Sequence, residues 1–249
     1  MSLSPIPNMP FPIDTSKWED YQTHYERLSN VPVDQSNLRE WLKEWSDLSR
    51  FVDEVGGITY IESTLDTADE SRERAFLHFV ENIEPNVRRA DQALKERLLA
   101  QAQDDDALGP DMSVTLRRMR NQANLFREAN IPLFTELAKL GNEFDKITGG
   151  LKVDWDGEEK NLSQLGTLLL SQDRATRERA WKVTMELWQG KRSELNEIYR
   201  RMLNLRRQIA ENAGFSDYRE YAYRAYNRFD YTPADSIKFQ DAIEAVVVP

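Results

Sequence analysis

The chain has 249 residues, 40% of them hydrophobic and 31% charged, with a formal net charge of −10 and a pI near 4.9. That is enough apolar material for a packed core, which excludes a disordered chain, and the acidic field disfavours nucleic acid and anionic lipid as main partners. Cysteine is absent, which excludes disulfides, thiolate nucleophiles and cysteine-bound metal and fits a reducing, cytoplasmic setting.

The N-terminus, "MSLSPIPNMPFPID", has neither a basic n-region nor a long apolar h-region, so it does not read as a secretory signal. No apolar stretch approaches the length of a membrane span. Pro5, Pro7, Pro10 and Pro12 predict an extended arm over 1–16. Ser16 is placed to cap a helix whose apolar face carries Trp18, Tyr21, Tyr25 and Leu28. A second helix, starting at Asp34 or Ser36, carries Leu38, Trp41, Leu42, Trp45, Leu48, Val52 and Val55 at spacings of three and four. Gly56-Gly57 is expected to stop it, leaving "ITYIESTLDTADES" as a connection or a short extended piece. From about Asp69 to Gln103 the pattern is helical, with a kink or break at Pro85. "DDDALGPD" reads as a surface loop, and helices follow over about Val114–Ala129 and Pro132–Lys146.

The pattern changes in "TGGLKVDWDGEEKNLSQL". Leu151, Val153 and Trp155 alternate with polar residues, and Asp156-Gly157 is a favoured two-residue turn, so a β-hairpin is expected near 151–161. A short helix follows around Leu162–Leu170. Asp173 or Ser171 then caps a helix whose core stripe is expected to run unbroken through Trp181, Met185, Trp188, Leu195, Ile198, Tyr199, Met202 and Ile209, with Gly190 as a weak point. Gly214 fits a left-handed helix end, and Ser216 fits the cap of a tyrosine-rich helix. Thr232-Pro233-Ala234-Asp235 combines a cap, a proline at the first helical position and an acidic third position. The last helix carries Ile237, Ala242, Ile243 and Val246. The sequence therefore predicts a mainly α, multi-helix array with one small hairpin: an arm over 1–16, a helical region over 17–148, and a second region over 149–249.

Few residues suggest chemistry. Only His24 and His78 are present, neither has a second histidine nearby, and HExxH does not occur. A catalytic zinc site usually takes two or three nitrogen ligands, so a hydrogen-bonded helical histidine is the simpler assignment. Asp154, Asp156, Glu158 and Glu159 invite a calcium reading, but the glycine follows the second aspartate directly and the twelfth position from Asp154 is Leu165, so turn chemistry explains them better. Arg200, Arg201, Arg206 and Arg207 could hold an anion or form a solvated face beside Glu194, Glu197 and Glu211. Tyr218, Arg219, Tyr221, Tyr223, Arg224, Tyr226, Arg228 and Tyr231 suit either a ligand or domain interface or helix packing with polar tips in water. No GxSxG, Walker A or GxGxxG motif is present. No catalytic, metal or substrate-binding residue is assigned from the sequence.

Taken as a pattern, "LKVDWDGEEKNLSQL", "SQDRATRERAWKV" and above all "IAENAGFSDYREY", "RFDYTP" and "AIEAVVVP" resemble the oligoendopeptidase F family, zinc metallopeptidases related to thimet oligopeptidase. The resemblance covers about Gly150–Pro249 well, and the first half fits as a helical lead-in. It implies a thimet-oligopeptidase-like, mostly helical enzyme with a deep channel that admits short peptides. In that family zinc is held by HExxH and a downstream glutamate, further along the chain than the matched region. The expectation is therefore the N-terminal portion of such an enzyme, with the catalytic part as its missing partner, no zinc of its own and no activity alone. Pro249 is then a cut edge, and the fragment should self-associate through apolar surface. The alternatives are a helical binding or scaffold module and, less in keeping with two histidines, a hydrolase with its own site.

Overall fold

The structure, a computed structural model, describes residues 13–34, 36–102, 104 and 106–248. The expected proline-rich arm lies outside the described residues over 1–12. The elements in chain order are α1 (Trp18–Asn30), α2 (Leu38–Leu65), α3 (Glu70–His78), a π-helical turn (Phe79–Ile83), α4 (Glu84–Gln101), α5 (Ser113–Leu125), a 3₁₀ turn (Glu128–Asn130), α6 (Ile131–Gly149), β1 (Lys152–Trp155), β2 (Glu158–Asn161), α7 (Leu162–Leu168), α8 (Arg174–Gly190), α9 (Arg192–Asn212), α10 (Tyr218–Ala225) and α11 (Pro233–Val246). The fold is mainly α with one antiparallel hairpin, as the sequence predicts. Among the described residues no helix is long and apolar enough to cross a membrane. The chain forms two compact units.

The first unit gathers residues up to Tyr21, Val33–Glu84 and Thr135–Leu203. Its largest helix departs from expectation. α2 runs through Gly56-Gly57 to Leu65, because the apolar stripe continues past the glycines in polar form: Thr59 and Ser63 are buried and return their hydroxyls to carbonyls one turn back. Gly56 is there for room, since a Cβ would lie 2.9 Å from the Phe79 ring. Ser16 is not the cap of α1; its hydroxyl donates to Asp14, which also takes the Ser16 N–H and pairs with Lys17.

Where a kink or break is expected at Pro85, the helix takes a π-helical turn. The Glu84 N–H reaches back five residues to the Phe79 carbonyl, and the next donor in that register would be Pro85, which has none. The Thr135 hydroxyl donates to the Val80 carbonyl at 3.1 Å in its place.

The hairpin follows the sequence closely: Lys152 pairs with Asn161 and Trp155 with Glu158, and the turn residues take φ of +58° at Asp156 and +88° at Gly157. Trp155, Leu165 and Ala180 make a buried cluster with Val153, Leu168, Val183 and Leu187 around it. This corrects the stripe expected on the following helix: Ala180 joins that cluster, while Trp181 and Tyr199 are more than half exposed. That helix is also two. α8, capped by Asp173, ends at Gly190, and α9 starts after Lys191 leaves the helical conformation.

The second unit gathers Gln22–Pro32, Pro85–Phe134 and Asn204–Pro249. Tyr25, Leu28, Leu94, Leu98, Leu116, Ile131, Ile209 and Tyr221 are buried in it. One buried polar residue, Asn130, ties the 3₁₀ turn to the end of α9: its amide donates to the Ile209 carbonyl at 3.1 Å and its oxygen accepts from Asn212 at 2.8 Å. Gly214, at φ +87°, closes α9 with a Phe215 N–H to Ala210 carbonyl bond. Asp217, not Ser216, caps α10 by accepting from the Glu220 N–H. α11 starts with the expected capping box between Thr232 and Asp235, and none of its residues is buried.

Candidate functional site: a tyrosine and arginine cluster

The aromatic and basic residues after Gly214 come together in the second unit. Arg228 is their centre. Its guanidinium lies 4.7 Å from the Tyr223 ring, 5.3 Å from Tyr226 and 5.8 Å from Tyr231. Asn227, at φ +54°, turns the chain so that this contact can form, and the Asn121 amide holds the turn by donating to the Arg224 carbonyl and the Asn227 side chain. Tyr223 meets Tyr231 edge to face at 5.9 Å and donates its hydroxyl to Ser236 at 2.7 Å. Tyr221 is buried between Phe215 and Tyr218, with centroids 5.8 and 5.7 Å away. Burial pushes both the Tyr218 and Tyr221 hydroxyls above the ordinary phenol value, while Arg206 opposes the shift at Tyr218 and Arg88 opposes it at Tyr221. Arg117 on α5 stacks 4.2 Å from Phe229. Most of the cluster is thus occupied in joining α5, α10 and α11, and among its tyrosines Tyr226 and Tyr231 keep the largest exposed faces.

The other residues weighed from the sequence separate cleanly. His78 accepts from Asn82 at Nδ1 and donates from Nε2 to the Ser16 carbonyl at 2.7 Å, an assignment that uses both ring nitrogens. His24 lies half-buried on α1. Asp154 accepts the Gly157 N–H, Asp156 holds Arg179 through both oxygens, Glu158 pairs with Lys160, and Glu159 with Lys152. Those four carboxylates are hairpin structure. Arg200 pairs with Glu197, Arg201 with Glu143, and Arg206 faces the Tyr218 ring, so these three arginines of α9 serve separate partners. Among the described residues no group of three histidine, cysteine, aspartate or glutamate side chains gathers as a metal site.

Residues 10–126 match the Peptidase M3 N-terminal domain. Three solved structures share its fold. A protein assigned as an oligoendopeptidase F is 22% identical, with a TM-score of 0.85 over 96% of this chain and 43% of its own. PZ peptidase A with an inhibitor is 22% identical, with a TM-score of 0.81 over 94% of this chain and 42% of its own. A protein of the same oligoendopeptidase F assignment from Bacillus anthracis is 19% identical, with a TM-score of 0.80 over 90% and 41%. This chain therefore spans about two-fifths of the length of the structures it resembles. No curated protein matches it. The M3 match covers the half of the sequence from which no family signal was legible, whereas the hairpin and tyrosine-rich segments carried the resemblance.

Proposed function

We propose that this chain is the N-terminal portion of a zinc-dependent, oligoendopeptidase F-like enzyme that hydrolyses short peptides. The observation that carries the reading is the superposition of nearly the whole chain on about two-fifths of an oligoendopeptidase F-assigned chain, beside an M3 N-terminal match over 10–126. The residues present do not fit a zinc ion: the sequence has two histidines and no HExxH, and His78 is committed at both nitrogens. Zinc and the groups that would act with it are therefore assigned to the remaining length of the enzyme, and this portion alone is inactive. Its proposed role is mechanical: its helices supply part of one wall of a channel that admits short peptides and keeps folded proteins from the site. The cytoplasm is the expected compartment, in keeping with the cysteine-free sequence.

The test is the reading frame beyond Pro249. An HExxH segment predicted as a helix is expected there; a stop codon or an unrelated sequence overturns the reading.

A further inference from the structure

The sequence holds one Asp-Gly step, Asp156-Gly157, and no Asn-Gly. Such a step can rearrange, because glycine puts no Cβ in the way when its amide nitrogen attacks the neighbouring side-chain carboxyl. Here the step forms the tip of the β1–β2 hairpin. Both residues are exposed and take positive φ, and a Cβ at Gly157 would meet nothing within 4 Å. Each reacting group is nevertheless occupied. The Gly157 N–H donates to Asp154 Oδ1 at 3.1 Å. Arg179 Nη1 donates to both oxygens of Asp156, at 2.9 and 3.1 Å. Arg179 is itself fixed over the Trp155 ring at 3.9 Å, and Trp155 is buried with Leu165 and Ala180. The amide nitrogen and the carboxyl that would react are thus turned to different partners, and the arginine that holds the carboxyl rests on the core cluster.

We propose that Asp156-Gly157 is a site of isoaspartate formation and that Arg179 and Asp154 restrain it. When the turn opens, the Gly157 nitrogen bonds to Asp156 Cγ and one water leaves, giving a cyclic succinimide. Water then adds back. Cleavage of the original bond between the Asp156 main-chain carbonyl and the Gly157 nitrogen leaves the chain running through the side-chain carbons and frees an α-carboxylate. No oxidant, reductant or cofactor is consumed. The product carries an extra methylene in the main chain at the turn, next to the Trp155–Glu158 pair, so the hairpin register is lost and Trp155 is released from its cluster. The enzyme class that would act on this product is an isoaspartate-specific methyltransferase using S-adenosylmethionine. The site goes beyond the peptidase reading and does not depend on it.

The experiment incubates the purified 249-residue chain in neutral buffer at physiological temperature, beside a synthetic peptide of residues 153–160, which is also the tryptic fragment of this segment. Isoaspartate is read as a second chromatographic form of that fragment with unchanged mass. Electron-transfer fragmentation fixes its position, and methyl acceptance fixes its identity. The expected result is conversion at Asp156 in the chain, slower than in the free peptide. Arg179→Gln should speed it by up to about fivefold, the limit for an exposed ion pair. Asp154→Ala should speed it as well, by releasing the Gly157 nitrogen. Val183→Ala loosens the same cluster but leaves the ion pair, and should speed it less than Arg179→Gln. The proposal is overturned by an unconverted chain once the free peptide is fully converted, by equal rates in chain and peptide, by a rate unchanged in Arg179→Gln, or by Val183→Ala matching Arg179→Gln.

Discussion

Gly56 and Gly57 stand side by side in α2, and replacing each by alanine should move stability in opposite directions. Alanine in a helix interior is favoured over glycine by about 1 kcal/mol, so that gain applies at both positions. At Gly57 an added Cβ meets nothing within 4 Å, and the gain stands alone. At Gly56 the Cβ would lie 2.9 Å from Cε1 and 3.0 Å from Cζ of Phe79, well inside the ~3.5–4.0 Å optimum for carbon pairs. Phe79 is 8% exposed and sits in the π-helical turn, so the ring has no open side to move into. Overpacking of this kind costs about 1–3 kcal/mol. Gly57→Ala should therefore stabilise by about 1 kcal/mol, and Gly56→Ala should destabilise by up to about 2 kcal/mol. In a chain of this length that separates the two midpoints by roughly 4–10 °C, readable by thermal melts and by urea unfolding. Phe79→Leu combined with Gly56→Ala should recover part of the loss, with the coupling measured as a double-mutant cycle. Equal stabilisation at both glycines would refute the argument, because it would mean that α2 does not lie against the Phe79 ring.

Asn130→Ala removes two hydrogen bonds from a buried site while Ile209 keeps its bond from the Ala213 N–H, so a loss of about 2 kcal/mol is expected in urea unfolding. The carboxyls of Asp69, Asp173 and Asp235 are held below the ordinary value, chiefly by hydroxyls of Ser71, Thr176 and Thr232. A lowered folded-state value means that this stabilisation is complete above the unfolded carboxylate value of about 4 and is lost as pH falls through the folded values below it. Far-UV circular dichroism should show acid unfolding below about pH 4, and the triple aspartate-to-asparagine variant should lose stability less steeply in that range. Phe239 at 68% and Val246 at 80% exposure on α11, with Val247 at 72% just past its end, make an exposed apolar surface that predicts concentration-dependent self-association. Light scattering should detect it, and Phe239→Ser with Val247→Ser should abolish it; a monomer at high concentration of the unsubstituted chain contradicts the expectation.

The elements that were legible in the sequence are those fixed by local chemistry. The Asp156-Gly157 turn, the Gly214 helix end and the Thr232–Asp235 box each depend on a few adjacent residues, and each formed where expected. The errors arose where a distant side chain decided the outcome. Gly56-Gly57 has the composition of a helix stop, but Phe79 makes the first glycine a packing position. At Pro85, where a kink or break is expected, the helix continues through a π-helical turn, and the Thr135 hydroxyl supplies the donor that proline lacks. Trp181 and Tyr199 have the spacing of core residues, but Ala180 and Ile198 take the buried positions beside them. The tyrosine and arginine cluster was visible because its members are neighbours in sequence.

The central proposal is that this chain, read as the N-terminal portion of an oligoendopeptidase F-like enzyme, holds no catalytic centre of its own. The direct measurement is metal content and hydrolysis of a short fluorogenic peptide by the purified 249-residue chain after incubation with zinc and desalting. The account predicts no retained zinc and no cleavage above the buffer rate. Stoichiometric zinc with cleavage abolished by a chelator would contradict it.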